Sequence, residues 1–423
     1  MLLLRGDSIH PYRNFSGAWP PFFSVFNSIQ LFGVVLLGGL LSGELARRVL
    51  ALPRTTGFVV FGLLIGQSGL GWVTPLHIEG AQLFVDLALG LILFELGYLV
   101  PVASLSLLLL RLRAALLISA GVFAGVAGLL YGLGFALPSA LLAATLCVAT
   151  SPAITIATTA DVGARGERTD LLLTLVALNG AIAFAGVAWA TPLLAESAGL
   201  RVLLSAWELG KVLLASVVLG GACAGLVLLG ADRLGRQPEH QHLLILGSIV
   251  LGVGTAMYLE ISVLLPMLLF GMMTRIFDAE RQVVAIRIAS DARIFLVMTF
   301  VLAGAALDLG LLFEYGGLAL LVIAVRLLCQ FAGMLLVRHR LGLPWRDALA
   351  MLLALQPMSS VALVLLGSLQ EVYQMASPEL PGVLLATILL LQLAGPLCTQ
   401  IAIRMFGEAA LFKGTPVPDK PGG

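Results

Sequence analysis

The sequence predicts an all-α polytopic membrane protein of about 13 transmembrane helices. Three observations carry that prediction. Of 423 residues, 60% are hydrophobic and only 11% are charged, with a mean hydropathy of +1.05; soluble globular chains carry roughly 25% charged residues. Apolar runs of about the length that crosses a bilayer recur from residue 28 to residue 403. The Lys and Arg residues between these runs collect at alternate ends. The composition excludes a soluble, a disordered and a collagen-like chain, and a net charge of +1 excludes a nucleic-acid binder.

In order, the apolar segments are 28–46, 55–70, 80–100, 114–133, 138–160, 171–190, 207–230, 241–257, 259–276, 292–307, 316–337, 346–369 and 380–403. A weak break near Tyr258 and Glu260 is all that divides the eighth from the ninth. Loops after the odd-numbered segments, with the C-terminal tail, hold 19 of the 24 basic residues, Arg47, Arg54, Arg113, Arg165 and Arg236 among them. The other side holds Arg5, Arg13, Arg201 and Lys211. This asymmetry puts the N-terminus outside and the C-terminus in the cytoplasm of a plasma (inner) membrane. Residues 1–27 read as a retained extracytoplasmic tail without a cleavage site, and 407–423 as a short cytoplasmic tail. Cys147, Cys223, Cys329 and Cys398 are widely spaced in apolar runs, with no disulfide or zinc spacing.

Two offsets point to an internal repeat. Phe61-Gly62-Leu63-Leu64 returns as Phe270-Gly271-Met272-Met273, and Ala149-Thr150-Ser151-Pro152 as Ala354-Leu355-Gln356-Pro357. Each pair lies seven segments apart, so a five-helix unit used twice would sit upside down the second time, a recurring build of secondary transporters. Pro152 and Pro357 interrupt their segments, because proline lacks an N–H and its ring clashes with the preceding turn. The freed backbone groups need hydroxyls, water or an ion, since lipid offers none. Thr150 and Ser151 stand beside the first proline; Gln356, Ser359 and Ser360 stand beside the second. Two crossed broken helices that present their ends to a substrate near the midplane are therefore expected.

Arg326 is the remaining basic residue, in the middle of segment 316–337. A charge there costs at least about 2.5–3.5 kcal/mol on insertion scales, so it either pairs to lock helices together or lines a wet cavity. Asp86 and Glu95 share segment 80–100 but sit half a turn apart in phase and about 13 Å apart along a straight helix. They read as funnel carboxylates, with proton coupling as the sharper alternative. Asp161, Asp291, Asp308 and Glu371 fall at segment ends. No segment contains a histidine, and there is no P-loop, zincin or nucleophile-elbow motif. That leaves gradient-driven transport, a channel or a non-transporting membrane component, with no cofactor and no metal.

The motifs, taken in sequence, are LARRVLALPRTTGFVVFGLLIGQSGLG, ALGLILFELGYLVP, CVATSPAITIATTADVGARGERTD, FVLAGAALDLGLL, LVIAVRLLCQFAGMLL and WRDALAMLLALQPMSSVALVL. Their order and spacing, from about Ser28 to Gly407, resemble the monovalent cation:proton antiporter superfamily with its sodium/hydrogen exchanger-like fold. The resemblance implies panel helices over 28–110 and 241–307, core helices over 111–190 and 316–406, a linker helix over 207–230, and a homodimer. It implies alternating access, with a monovalent cation (sodium or potassium) and protons competing for an Asp. Arg326 matches the family's basic residue, and Thr150, Ser151, Asn179, Gln356 and Ser359 would offer oxygens. The chain departs from the family at one position: Asn179 is kept, but Gly180 stands where the proton-exchanging Asp belongs. Two escapes follow. The site prefers an anion or organic acid, or Asp86 or Glu95 takes over proton coupling. A transport-inactive binding or regulatory subunit is the reading from another class.

Overall fold

The computed structural model describes residues 28–100, 105–191, 201–234, 237–259, 261–278, 288–358, 360–367, 377 and 379–410. Helices form because apolar backbone in a bilayer must satisfy its own N–H and C=O groups. They are α1 (Ser28–Val49), α2 (Arg54–Ile65), α3 (Pro75–Gly80), α4 (Gln82–Leu99), α5 (Leu105–Gly132), α6 (Leu137–Val148), α7 (Pro152–Asp161) and α8 (Glu167–Ala190). Then follow α9 (Arg201–Leu234), α10 (Pro238–Tyr258), α11 (Leu264–Phe277), α12 (Ile288–Ala305), α13 (Gly310–Val337), α14 (Trp345–Ala354), α15 (Ser360–Gly367) and α16 (Leu380–Phe406). Among the described residues no strand occurs, and nine spans are long and apolar enough to cross a membrane, α6 with α7 counting as one. The chain is thus an all-helical polytopic membrane protein. The weak division near Tyr258 is a real break: α10 ends there and α11 starts at Leu264.

One predicted boundary is corrected. Segment 55–70 is helical only to Ile65; Gly66 to Leu70 form turns. Leu70 N–H donates to the Leu64 carbonyl (2.7 Å) and Ser68 Oγ donates to the Leu307 carbonyl (2.7 Å). The end of α2 is therefore turned off and tied to the segment following α12. An apolar count cannot see this, because glycine and serine read as tolerable inside a span.

The helices pack as two groups. In one, α1, α2, α4 and α12 pack together, α11 packs on α4, and α9 and α10 pack against them. In the other, α5, α6, α8, α13, α14 and α16 pack together. α7 touches α2 and α4 of the first group and α8 and α16 of the second. An ion pair reaches across the same boundary: Arg54 donates to Asp161 through its backbone N–H (3.1 Å) and its guanidinium (3.2 Å), and to Glu44 through Nε (3.2 Å).

Close helix contacts are exchanged between the two halves of the chain. A Cβ at Gly62 would overlap the Val301 carbonyl, and one at Gly304 the Val59 carbonyl, where α2 meets α12. A Cβ at Gly271 would overlap the Phe94 carbonyl, and one at Gly97 the Leu268 carbonyl, where α11 meets α4. Only glycine permits backbones to approach this closely.

On the arginine-rich side, the C-terminal segment caps a distant helix. Gly407 ends α16 in the left-handed conformation (φ 74°). This turns Glu408 onto the first turn of α8, where its carboxylate accepts from Arg168 N–H (2.9 Å), Thr169 N–H (2.7 Å) and Thr169 Oγ1 (2.7 Å). Two otherwise unmet helix donors are thereby satisfied. Replacing Glu408 with Ala is expected to cost about 1–2 kcal/mol, the scale of a lost N-cap, read as a lower melting temperature of the detergent-solubilised protein.

Candidate functional site

Each broken helix stops for a local reason. Pro152 cannot donate an N–H, and residues 149 to 151 are not helical, with Ser151 extended at φ −84°, ψ 108°. Ser151 restarts the chain as the N-cap of α7: its Oγ accepts from Ile154 N–H (3.3 Å), and its carbonyl accepts from Thr155 Oγ1 (2.9 Å). In the second broken segment, α14 ends at Ala354 and Pro357 prevents its continuation. The two breaks meet directly, because Ser151 N–H donates to the Pro357 carbonyl at 2.8 Å.

Arg326, in the middle of α13 and 0% exposed, holds both breaks. Its Nε donates to the Cys147 carbonyl (2.8 Å) and one terminal nitrogen to the Ala149 carbonyl (3.2 Å), at the end of α6. The same nitrogen reaches the Leu355 carbonyl (3.2 Å), and the other reaches the Gln356 carbonyl and side-chain Oε1 (both 3.1 Å), at the end of α14. Five contacts match the five donors of a guanidinium. Each helix C-terminus carries roughly half a negative charge, so two of them balance about one positive charge. Arg326 is thus a shared cap for two facing half-helices. Gln356 Nε2 donates to Gln330 Oε1 (2.6 Å) and to the Leu352 carbonyl (2.8 Å), which ties the second break to α13. In the sequence the only signal for Gln330 is a second polar side chain one turn after Arg326.

Among the predicted oxygen donors, Ser151 and Gln356 are engaged as described. Asn179 is buried and its Oδ1 accepts from Ser119 Oγ on α5 (3.4 Å), inside one packing group. Thr150 is buried, and among the described residues its hydroxyl has no hydrogen-bond partner. Ser359 lies outside the described residues. Asp86 is half-buried and accepts from Gln82 Nε2 (3.3 Å). Glu95 is half-buried, and among the described residues neither a hydrogen bond nor an ion pair engages it.

A narrow cleft, with room for about one water molecule, opens beside the first break, between the two packing groups. Leu93 and Leu96 of α4, Pro152 of α7, Ala177, Gly180, Ala181 and Phe184 of α8, and Leu264, Leu265 and Leu268 of α11 line it. None of these carries a carboxylate or any polar side chain. Gly180 is on the wall, and a Cβ built there meets no heavy atom within 4 Å. Position 180, where the family resemblance leads one to expect an acid, therefore faces open space.

The family model for the transmembrane sodium/hydrogen exchanger matches residues 32–404. Among curated proteins none matches the chain. Among solved structures, the sodium proton antiporter MjNhaP1 from Methanocaldococcus jannaschii at pH 8 is similar over 90% of this chain and 99% of that one, with 19% identity and a TM-score of 0.67. An electron-microscopy structure of the same antiporter is similar over 90% and 98%, with 17% identity and a TM-score of 0.70. At these identities the likeness speaks to the fold. With nearly its whole length matched, this chain belongs to the sodium/hydrogen exchanger transmembrane family.

Proposed function

We propose that the chain is a secondary active transporter that exchanges a monovalent cation, sodium or potassium, for protons by alternating access. The carrying observation is the junction of two half-helices closed by the Ser151–Pro357 hydrogen bond and neutralised by Arg326. Such a junction offers an ion polar backbone near the midplane at no cost in unpaired charge. The glycine contacts exchanged between α2–α12 and α11–α4 support two inverted five-helix units. The group containing α13 and the broken helices would then move as a core against a panel built on α1, α2, α4 and α10 to α12. Homodimerisation through that panel belongs to the same reading.

Gly180 removes the usual carboxylate, so proton coupling falls to another acid. Glu95 is the best placed: it lies one helical step, about 100°, from the cleft-lining Leu96, half-buried and unengaged by any described residue. The anion reading needs free donors on Arg326, and all five are taken by protein oxygens. Reconstituted in vesicles with an imposed pH gradient, the protein should discharge that gradient on addition of sodium or potassium, equally with chloride or gluconate as counterion. Discharge that follows the anion and ignores the cation would overturn the proposal.

A further inference from the structure

Asp161 serves a helix to which it does not belong. It is the last residue of α7. Its carboxylate accepts from the backbone N–H (3.1 Å) and the guanidinium (3.2 Å) of Arg54, the first residue of α2. The N-cap position of α2 is Pro53, which offers no side-chain hydrogen bond to the first turn. Asp161 therefore supplies, from α7, the acceptor and the negative charge that the start of α2 lacks. The contact is mostly covered, with 15% of the Asp161 side chain and 33% of the Arg54 side chain exposed.

Each partner is anchored in a different packing group. Arg54 Nε also donates to Glu44 of α1 (3.2 Å), and Glu44 accepts from Arg47 and Arg48 on its own helix. The guanidinium thus stays with α1 and α2. On the other side, the carbonyl of Val162, next to Asp161, accepts from Ala410 N–H (3.0 Å), and Arg165 N–H donates to the Glu408 carbonyl (3.2 Å). The end of α7 is thereby fastened to the segment that follows α16. The other end of α7 lies about 15 Å away along the helix axis. There Ser151 N–H donates to the Pro357 carbonyl at the junction of the two breaks. One short helix therefore runs from that junction to the α1–α2 group.

We propose that the Arg54–Asp161 pair is a latch: it holds the broken-helix core against the panel at the arginine-rich end and opens each time the core moves. The proposal rests on the alternating-access reading. Two features suit the contact to repeated opening. Glu44 keeps Arg54 paired once Asp161 has left, so no cation is stranded. The pair is also partly exposed, and ion pairs that water can reach are weak enough to break and reform. Because α7 ends at the latch and begins at the junction of the breaks, releasing the one frees the other to shift against the panel.

The test joins the two positions covalently. In a chain whose native cysteines, Cys147, Cys223, Cys329 and Cys398, are replaced by serine, Arg54→Cys with Asp161→Cys is bridged by a short bis-methanethiosulfonate. Cation-dependent discharge of a pH gradient is measured before bridging, after it and after reduction. Glu44→Cys with Arg54→Cys, both inside the panel, is the comparison. The expected result is a loss of flux of at least about tenfold on bridging, reversed by reduction, in the Arg54 and Asp161 pair alone, because a locked conformational step limits turnover. Undiminished flux in that bridged pair, or an equal loss in both pairs, would overturn the latch while leaving antiport standing. Should the double variant fail to fold, Asp161→Asn and Arg54→Gln weigh the same balance. A weaker latch raises the share of molecules open at the arginine-rich end, so the KM for a cation supplied from that side should fall at least about threefold, the scale of a partly exposed pair. An unchanged KM from that side in both variants would overturn the latch. A wild type that shows no discharge with sodium or potassium would overturn the antiport reading and the latch with it.

Discussion

Replacing Arg326 with Met is expected to destabilise the protein by about 3–5 kcal/mol and to abolish transport. The reason is the balance of partners. Removing the guanidinium leaves the carbonyls of Cys147, Ala149, Leu355 and Gln356 without the donor they now share. Breaking a buried charged cluster by deleting one side costs on that scale, because the remaining groups stay buried and unpaired. It also leaves two half-helix C-termini facing each other with like partial charges. Arg326→Lys should fall between: the charge is kept, but an ammonium has three donors at one point, against five in a planar fork. Thermal unfolding of the purified variants reads the order directly. Wild type should exceed Lys, and Lys should exceed Met. Equal melting temperatures for wild type and Met would mean that the breaks hold each other without Arg326.

Replacing Glu95 with Gln is expected to reduce proton-coupled cation flux by at least about 100-fold, the lower range for loss of a proton-transferring group. The substitution keeps size and hydrogen-bonding capacity and removes only the ability to carry a proton. Asp86→Asn is the internal comparison. Asp86 is already bonded to Gln82 beside the start of α4, so flux should stay within about twofold, the range of an uninvolved partly exposed position. Measured melting temperatures separate a loss of coupling from a loss of fold: Glu95→Gln should melt like wild type. If Glu95→Gln and Asp86→Asn behave alike, the coupling acid lies elsewhere.

The features legible in the sequence share a physical cause that acts locally. Apolar runs of bilayer length and prolines at 152 and 357 announce spans and breaks, because both effects operate within one turn of helix. Arg326 was conspicuous because nothing else charged stands in the middle of its span. Its partners were not legible: four of its five acceptors are backbone carbonyls, which carry no side-chain signature. In the sequence Gln356 reads as an oxygen donor to a substrate; in the fold its side-chain oxygen accepts from Arg326. Asn179 reads likewise, and in the fold its oxygen accepts from Ser119. In both cases the residue type was informative and its direction was not, since direction depends on helix rotation set by distant packing. Glu408 capping α8 across 239 residues belongs to the same class. The absence at Gly180 was visible only through the family resemblance, and the open space beside it only through the fold.

If Glu95 carries the proton in this transporter, one reconstituted flux measurement shows it most directly. Wild type, Glu95→Gln and the double variant Glu95→Gln with Gly180→Asp are compared for sodium- or potassium-driven discharge of a pH gradient. The expected result is discharge by wild type, none by the single variant, and recovery in the double variant, whose new carboxylate enters the open cleft wall at position 180. Undiminished discharge by Glu95→Gln would contradict it.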